Sequence, residues 1–236
     1  SDIKVASYKY NNWRTGEKLV TPTPHNEINP DIACNFFTDE CLVVWEDEDD
    51  GDIEGVHLLI NPFDKPSTNG YYFDISTTSA CHDPYIAWAP HMGRYLVVYT
   101  SDYAGADKPV GCYQHVFDSY QGNDTDDQFT ENSTTFHGLA ADPDYKPFSP
   151  TSVTYDPCTE VFIIAYDYNW GYHKGEVDWD VHLTTVPAIG LTGTHLPDAA
   201  SLDVNETGGE VQYISTNYSP SCDAMDKLVV AYHRED

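Results

Sequence analysis

Residues 29–60 read NPDIACNFFTDECLVVWEDEDDGDIEGVHLLI. The run Leu42–Trp45 is apolar at every position. That is the pattern of a short strand buried on both faces, not of a strand with one wet side. A proline-opened segment (Pro30–Cys34) precedes it and an alternating one (Asp52–Ile60) follows. Glu46, Asp47, Glu48, Asp49, Asp50, Asp52 and Glu54 then place seven carboxylates in nine residues between the second strand and the third.

The same order returns along the chain. Apolar runs LVVY (96–99), FIIAY (162–166) and LVVAY (228–232) repeat LVVW (42–45). A proline-opened strand precedes each, at Pro30, Pro84, Pro150 and Pro220. A third strand follows the first three runs: GDIEGVHLLI, KPVGCYQHVF and EVDWDVHLTT. A fourth comes after it: YYFDIST (71–77), DQFTENST (127–134) and VQYIST (211–216). No segment sustains a helical period. Four short antiparallel strands per unit, A to D, is the pattern of a β-propeller blade.

Three units are complete, and the termini supply two halves. SDIKVASYKY matches a strand C, GEKLVTPTPHNEI stands where strand D belongs, and the C-terminus stops after an A–B pair at LVVAYHRED. The expected fold is therefore all-β: one domain over 1–236, a four-bladed β-propeller with blades at about 28–80, 81–148, 149–217, and 218–236 plus 1–27. The split blade closes either within one chain or between chains. The second route gives head-to-tail fibres by strand addition.

The pattern P-x-I-A, LVVW, D-I-x-G, F-x-I-S-T is carried by Pro30–Ala33, Leu42–Trp45, Asp52–Gly55 and Phe73–Thr77, and again by Pro84–Trp88 with Leu96–Tyr99. It resembles repeats of secreted and surface-anchored proteins of bacteria and archaea. The likeness weakens in the third unit, where Ala165 enters strand B. It implies an extracellular propeller-like module and carries no agreed activity.

Composition points to the same compartment. Asp and Glu number 39 against 11 Lys and Arg, a net charge of −28. Such a surface repels nucleic acid and anionic membranes. With 40% hydrophobic residues and 18 tyrosines the chain still folds, and salt or bound cations would relieve its self-repulsion. No apolar run reaches the roughly 18 residues of a membrane helix. No signal peptide opens the chain, which reads as a mature, processed form.

Six cysteines, Cys34, Cys41, Cys81, Cys112, Cys158 and Cys222, lack zinc-site spacing and read as disulfides. Cys34 and Cys41 flank one A–B turn and can bridge it; the other four would pair within or between neighbouring blades. Asn123, Asn132, Asn205 and Asn217 open glycosylation sequons.

The acidic turn is the candidate metal site. Glu46, Glu48, Asp50 and Asp52 offer hard oxygen ligands beside Gly51, which suits Ca²⁺; the alternative is a solvated loop in an acidic protein. Trp170, in YNWGYHKG, is the candidate sugar platform, whereas Trp45 and Trp88 belong to the core. His57 and His182 read as equivalent structural positions of strand C. The sequence lacks G-x-S-x-G, a phosphate loop and the sialidase-type S-x-D-x-G-x-T-W box. The expected function is a secreted, non-catalytic structural or adhesive module, a subunit of a surface assembly or filament. The alternatives are a carbohydrate-binding module and a glycoside hydrolase, whose paired carboxylates cannot be told apart in so acidic a chain.

Overall fold

The computed structural model describes residues 2–5, 8–9, 12–13, 18–19, 24–35, 37–59, 67–75, 81–101, 111–118, 134–135, 150–169, 179–188, 210–218 and 228–235. Every regular element among them is a strand, and every pairing is antiparallel. A nested N-terminal hairpin comes first: β1 (Lys4–Val5) pairs with β4 (Lys18–Leu19), and β2 (Tyr8–Lys9) with β3 (Asn12–Trp13). Unit one is β5 (Glu27–Asn35), β6 (Glu40–Asp47), β7 (Asp52–Leu59) and β8 (Ser67–Asp74), in sequential order. Unit two repeats it with β9 (Cys81–Ala89), β10 (Arg94–Ser101), β11 (Gly111–Asp118) and the short β12 (Thr134–Thr135). Unit three contributes β13 (Pro150–Asp156), β14 (Val161–Asn169) and β15 (Trp179–Pro187), and β16 (Glu210–Tyr218) pairs with β17 (Leu228–Glu235).

The repeat is legible in the turns. Asp39, Gly93 and Glu160 each stand last in an A–B turn, and each has positive φ, at 53°, 63° and 57°. That conformation lets the chain re-enter strand B with the right twist, and glycine adopts it without the Cβ penalty. One pair further in lies a position filled in three ways. Cys34 and Cys41 form a disulfide there. Trp88 packs on Tyr95, and Tyr155 on Phe162.

Strand B is the core. All eight residues of β6 are buried, as the two-faced apolar run requires. Its residues alternate. Leu42 and Val44 join Ile53, Ile75 and the second unit's Ile86, Tyr95, Val97 and Tyr99 in one cluster. Cys41, Val43 and Trp45 join Val56, Leu58 and the hairpin's Ile3, with Val5 packed alongside. Unit one is thus covered by unit two on one side and by the N-terminal hairpin on the other. First strands stand beside first strands: β5 contacts β9, β9 contacts β13, and β13 contacts β16.

Three expectations change. VQYIST (211–216) does not form strand D of the third unit; it lies in β16, paired to β17. The described strand paired to Leu228–Glu235 is therefore 210–218, and the strand expected to open at Pro220 lies outside the described residues. His57 and His182 are not equivalent: His57 lies opposite Leu42, third in its strand B, and His182 opposite Tyr166, sixth. Finally, Cys81 is a buried thiol rather than a disulfide half. Strand β10 separates it from Cys112, since Ser101 pairs with both Cys81 and Gly111. Two strand spacings, about 9–10 Å, exceed the roughly 7 Å between Cα atoms that a disulfide spans.

Candidate cation site at the β6–β7 turn

Strand alternation splits the acidic run before any ligand is considered. Glu46 shares a face with Leu42 and Val44, and Asp47 shares the other with Val43 and Trp45. The two carboxylates go to different work.

Glu46 ties the first unit to the second. Its Oε2 accepts from Asn29 Nδ2 at 3.0 Å and from the Asp83 backbone N–H at 3.2 Å. Asn29 also donates to Asp83 Oδ1 at 3.1 Å. Asn29 and Asp83 precede Pro30 and Pro84, and both have positive φ, at 49° and 53°, so the repeat itself brings them together. Asp31 adds another tie by accepting the Ile86 N–H at 2.9 Å, and burial raises its pKa. At the opposite end of this seam His57 Nδ1 lies 2.6 Å from Glu40 Oε1, both fully buried. The Tyr95 hydroxyl donates to the Glu40 carbonyl at 3.5 Å, and burial holds that hydroxyl far above the phenol range.

Asp47 organises the turn. Its Oδ1 accepts the N–H groups of Asp49 and Asp50 at 3.0 and 3.2 Å, and its carbonyl accepts from Gly51 at 2.7 Å. Asp156 caps an A–B turn in the same manner, accepting from Cys158 at 2.8 Å and Thr159 at 3.3 Å. This local bonding is why Asp and Asn concentrate at such turns. Across the strands Glu27, Asp47 and Asp52 stand opposite one another, a row of like charges that opposes pairing.

His25 answers that row. Its Nδ1 donates to Asp47 Oδ2 at 2.6 Å and lies 3.4 Å from Asp50 Oδ2. The Asp47 hydrogen bond raises its pKa, and the charges of Asp47, Asp50 and Asp49 add to this. Asn26 secures the same turn: its N–H donates to Asp49 at 2.9 Å and its amide to Glu48. Asp52 and Glu54 have raised pKa values, first through burial and then through their acidic neighbours. Trp45 Nε1–H donates to Glu54 Oε2 at 2.8 Å.

The four expected ligands are therefore not gathered into one site. Glu46 is drawn into the seam, Glu48 goes to Asn26, and Asp52 faces the acid row. Among the described residues, the group whose donor atoms lie within 4.8 Å of one another is His25, Asp47 and Asp50. Asp50 was legible in the acidic run. His25 lies 22 residues from Asp47 and carries no local signal. The carboxylate oxygens suit Ca²⁺ and the imidazole suits a transition metal; either cation would have to displace the Nδ1 proton or leave His25 aside.

Cys158 is a third disulfide-bonded cysteine; its partner lies among side chains that are not described. Cys222, Trp170, Asn123, Asn132 and Asn205 lie outside the described residues. Asn217 stands in β16, opposite Val229, and Cys112 in β11, opposite Thr100.

The molecule so built is an assembly of antiparallel sheets with an acidic, hydrogen-bonded rim. No protein-family model matches the chain, and no curated protein does. Among solved structures it is similar to a Hadza microbial sialidase, Hz136, at TM-score 0.50 and 9% identity, over 80% of this chain and 39% of that one. The chain thus spans about two fifths of that sialidase's length. At this identity the likeness concerns fold alone: sheets in a β-propeller type of arrangement.

Proposed function

We propose that the chain is a single four-bladed β-propeller, its last blade completed by its own first residues, and that it serves outside the cell as a non-catalytic structural or adhesive module of a surface assembly or filament. One observation carries the ring. In unit two, the face bearing Tyr95, Val97 and Tyr99 packs on the unit before it. The same face of unit one, bearing Cys41, Val43 and Trp45, packs on Ile3 and Val5. The N-terminal hairpin stands where a preceding blade belongs, and in a ring of four that blade is the one containing β16 and β17.

The Cys34–Cys41 disulfide and the charge of −28 favour an extracellular setting. No helix among the described residues is long and apolar enough to cross a membrane. Asp47 and Asp156 serve as turn caps and Asp31 and Glu46 as inter-unit ties, which supports a structural reading over a hydrolytic one. Calcium held loosely at the acid row belongs to the same proposal, and a chelator that leaves the melting midpoint unchanged would remove it. Glycan-array binding together with a sialoside hydrolysis assay tests the function. The reading expects no turnover; hydrolysis would replace it with an enzyme, and tight binding of one glycan with a lectin-like module.

A further inference from the structure

We propose that the N-terminal hairpin is an exchangeable arm through which copies of this chain link, the arm of one copy seating on the Cys41–Trp45 face of another. This rests on the ring reading, because it keeps the same interface and changes only which chain supplies it.

Two observations support exchange. The arm's strands pair with one another, and among the described residues no sheet joins them to the body. What seats the arm is the packing of Ile3 and Val5 on Cys41, Val43, Trp45, Val56 and Leu58, and such contacts form equally well between identical chains. Next, the root of the arm is fixed. The Glu48 N–H donates to the Asn26 carbonyl at 3.0 Å, the Asn26 N–H to Asp49 at 2.9 Å, and His25 to Asp47 at 2.6 Å. Detaching the arm therefore leaves the first unit's turn intact. The net charge of −28 opposes association of copies, so salt should promote exchange.

The test mixes ordinary and ¹⁵N-labelled full-length protein over a range of concentration and salt. A carbodiimide then couples Lys4 to nearby carboxylates, and mass spectrometry reads whether linked peptides share one isotope or mix two. Exchange predicts mixed-isotope links from Lys4 to residues 46–54 in a dimeric or longer fraction, increasing with salt. Ile3→Asp should remove that fraction and Ile3→Val should keep it. Single-isotope links in a monomer under every condition would overturn the exchange and leave the ring standing. Loss of the Lys4 links altogether would overturn both.

Discussion

Trp88 packs on Tyr95 with ring centroids 4.4 Å apart, at the cross-strand position that Cys34 and Cys41 bridge in the sheet before it. One structural task is met by a covalent bond in one unit and by ring contact in the next. The two solutions differ in worth. Removing the disulfide frees a loop only seven residues long and should cost about 2 kcal/mol. Tyr95→Ala deletes a fully buried ring at the seam and should cost about 3–5 kcal/mol. Denaturant unfolding of Tyr95→Ala against the Cys34→Ser/Cys41→Ser pair measures the order; a larger loss from the cysteine pair would reverse it.

Glycine stands at one of the three positive-φ turn positions, Gly93, and the other two carry Asp39 and Glu160. Glu160→Gly should stabilise the protein by about 1 kcal/mol, offset partly by glycine's greater freedom when unfolded. Gly93→Ala should destabilise by a similar amount although its Cβ would meet nothing within 4 Å. Opposite shifts in melting midpoint are expected from this pair.

Glu40 and His57 form a buried pair, and removing one member strands the other. Glu40→Ala should cost about 3–5 kcal/mol. Replacing both residues by apolar ones of similar volume should cost less than the single change. A double-mutant cycle decides this, and additive losses would mean that the two do not act together.

Stability should increase from alkaline toward mildly acidic pH. Asp31, Asp52 and Glu54 have raised pKa values, so the folded chain binds protons that the unfolded chain releases, and their destabilising ionised forms disappear as pH falls toward the carboxylate range. His25 is also raised. Its contribution is complete below the unfolded value of about 6.5 and is lost as pH climbs through the folded value. Melting midpoints at about pH 5, 6.5 and 8.5 should therefore decline in that order, with the unfolded reference values from model peptides. His25→Gln should flatten the upper part of the curve alone.

The strands and most of the pairing were legible because two-faced apolar runs and A–B turns recur at each unit. LVVW could hardly be anything but a strand buried on both sides, and β6 is buried throughout. Residues 211–216 were recognisable as a strand but not as the partner of LVVAY, because alternation fixes which residues share a face and says nothing about which neighbour the edge selects. The acidic run misled for a related reason. Seven carboxylates adjacent in sequence look like one site, yet the period of two sends Glu46 to the seam and Asp47 to the other face. The partner that makes Asp47 distinctive, His25, comes from the far side of β5.

The position of residues 4–19 tests the account most directly. A density map of the purified protein at side-chain resolution should show this hairpin covering Cys41, Val43 and Trp45 on one side and running beside Leu228–Glu235 on the other, from the same chain or from a linked copy. A hairpin placed away from that face, or a face closed by some other segment, would contradict it.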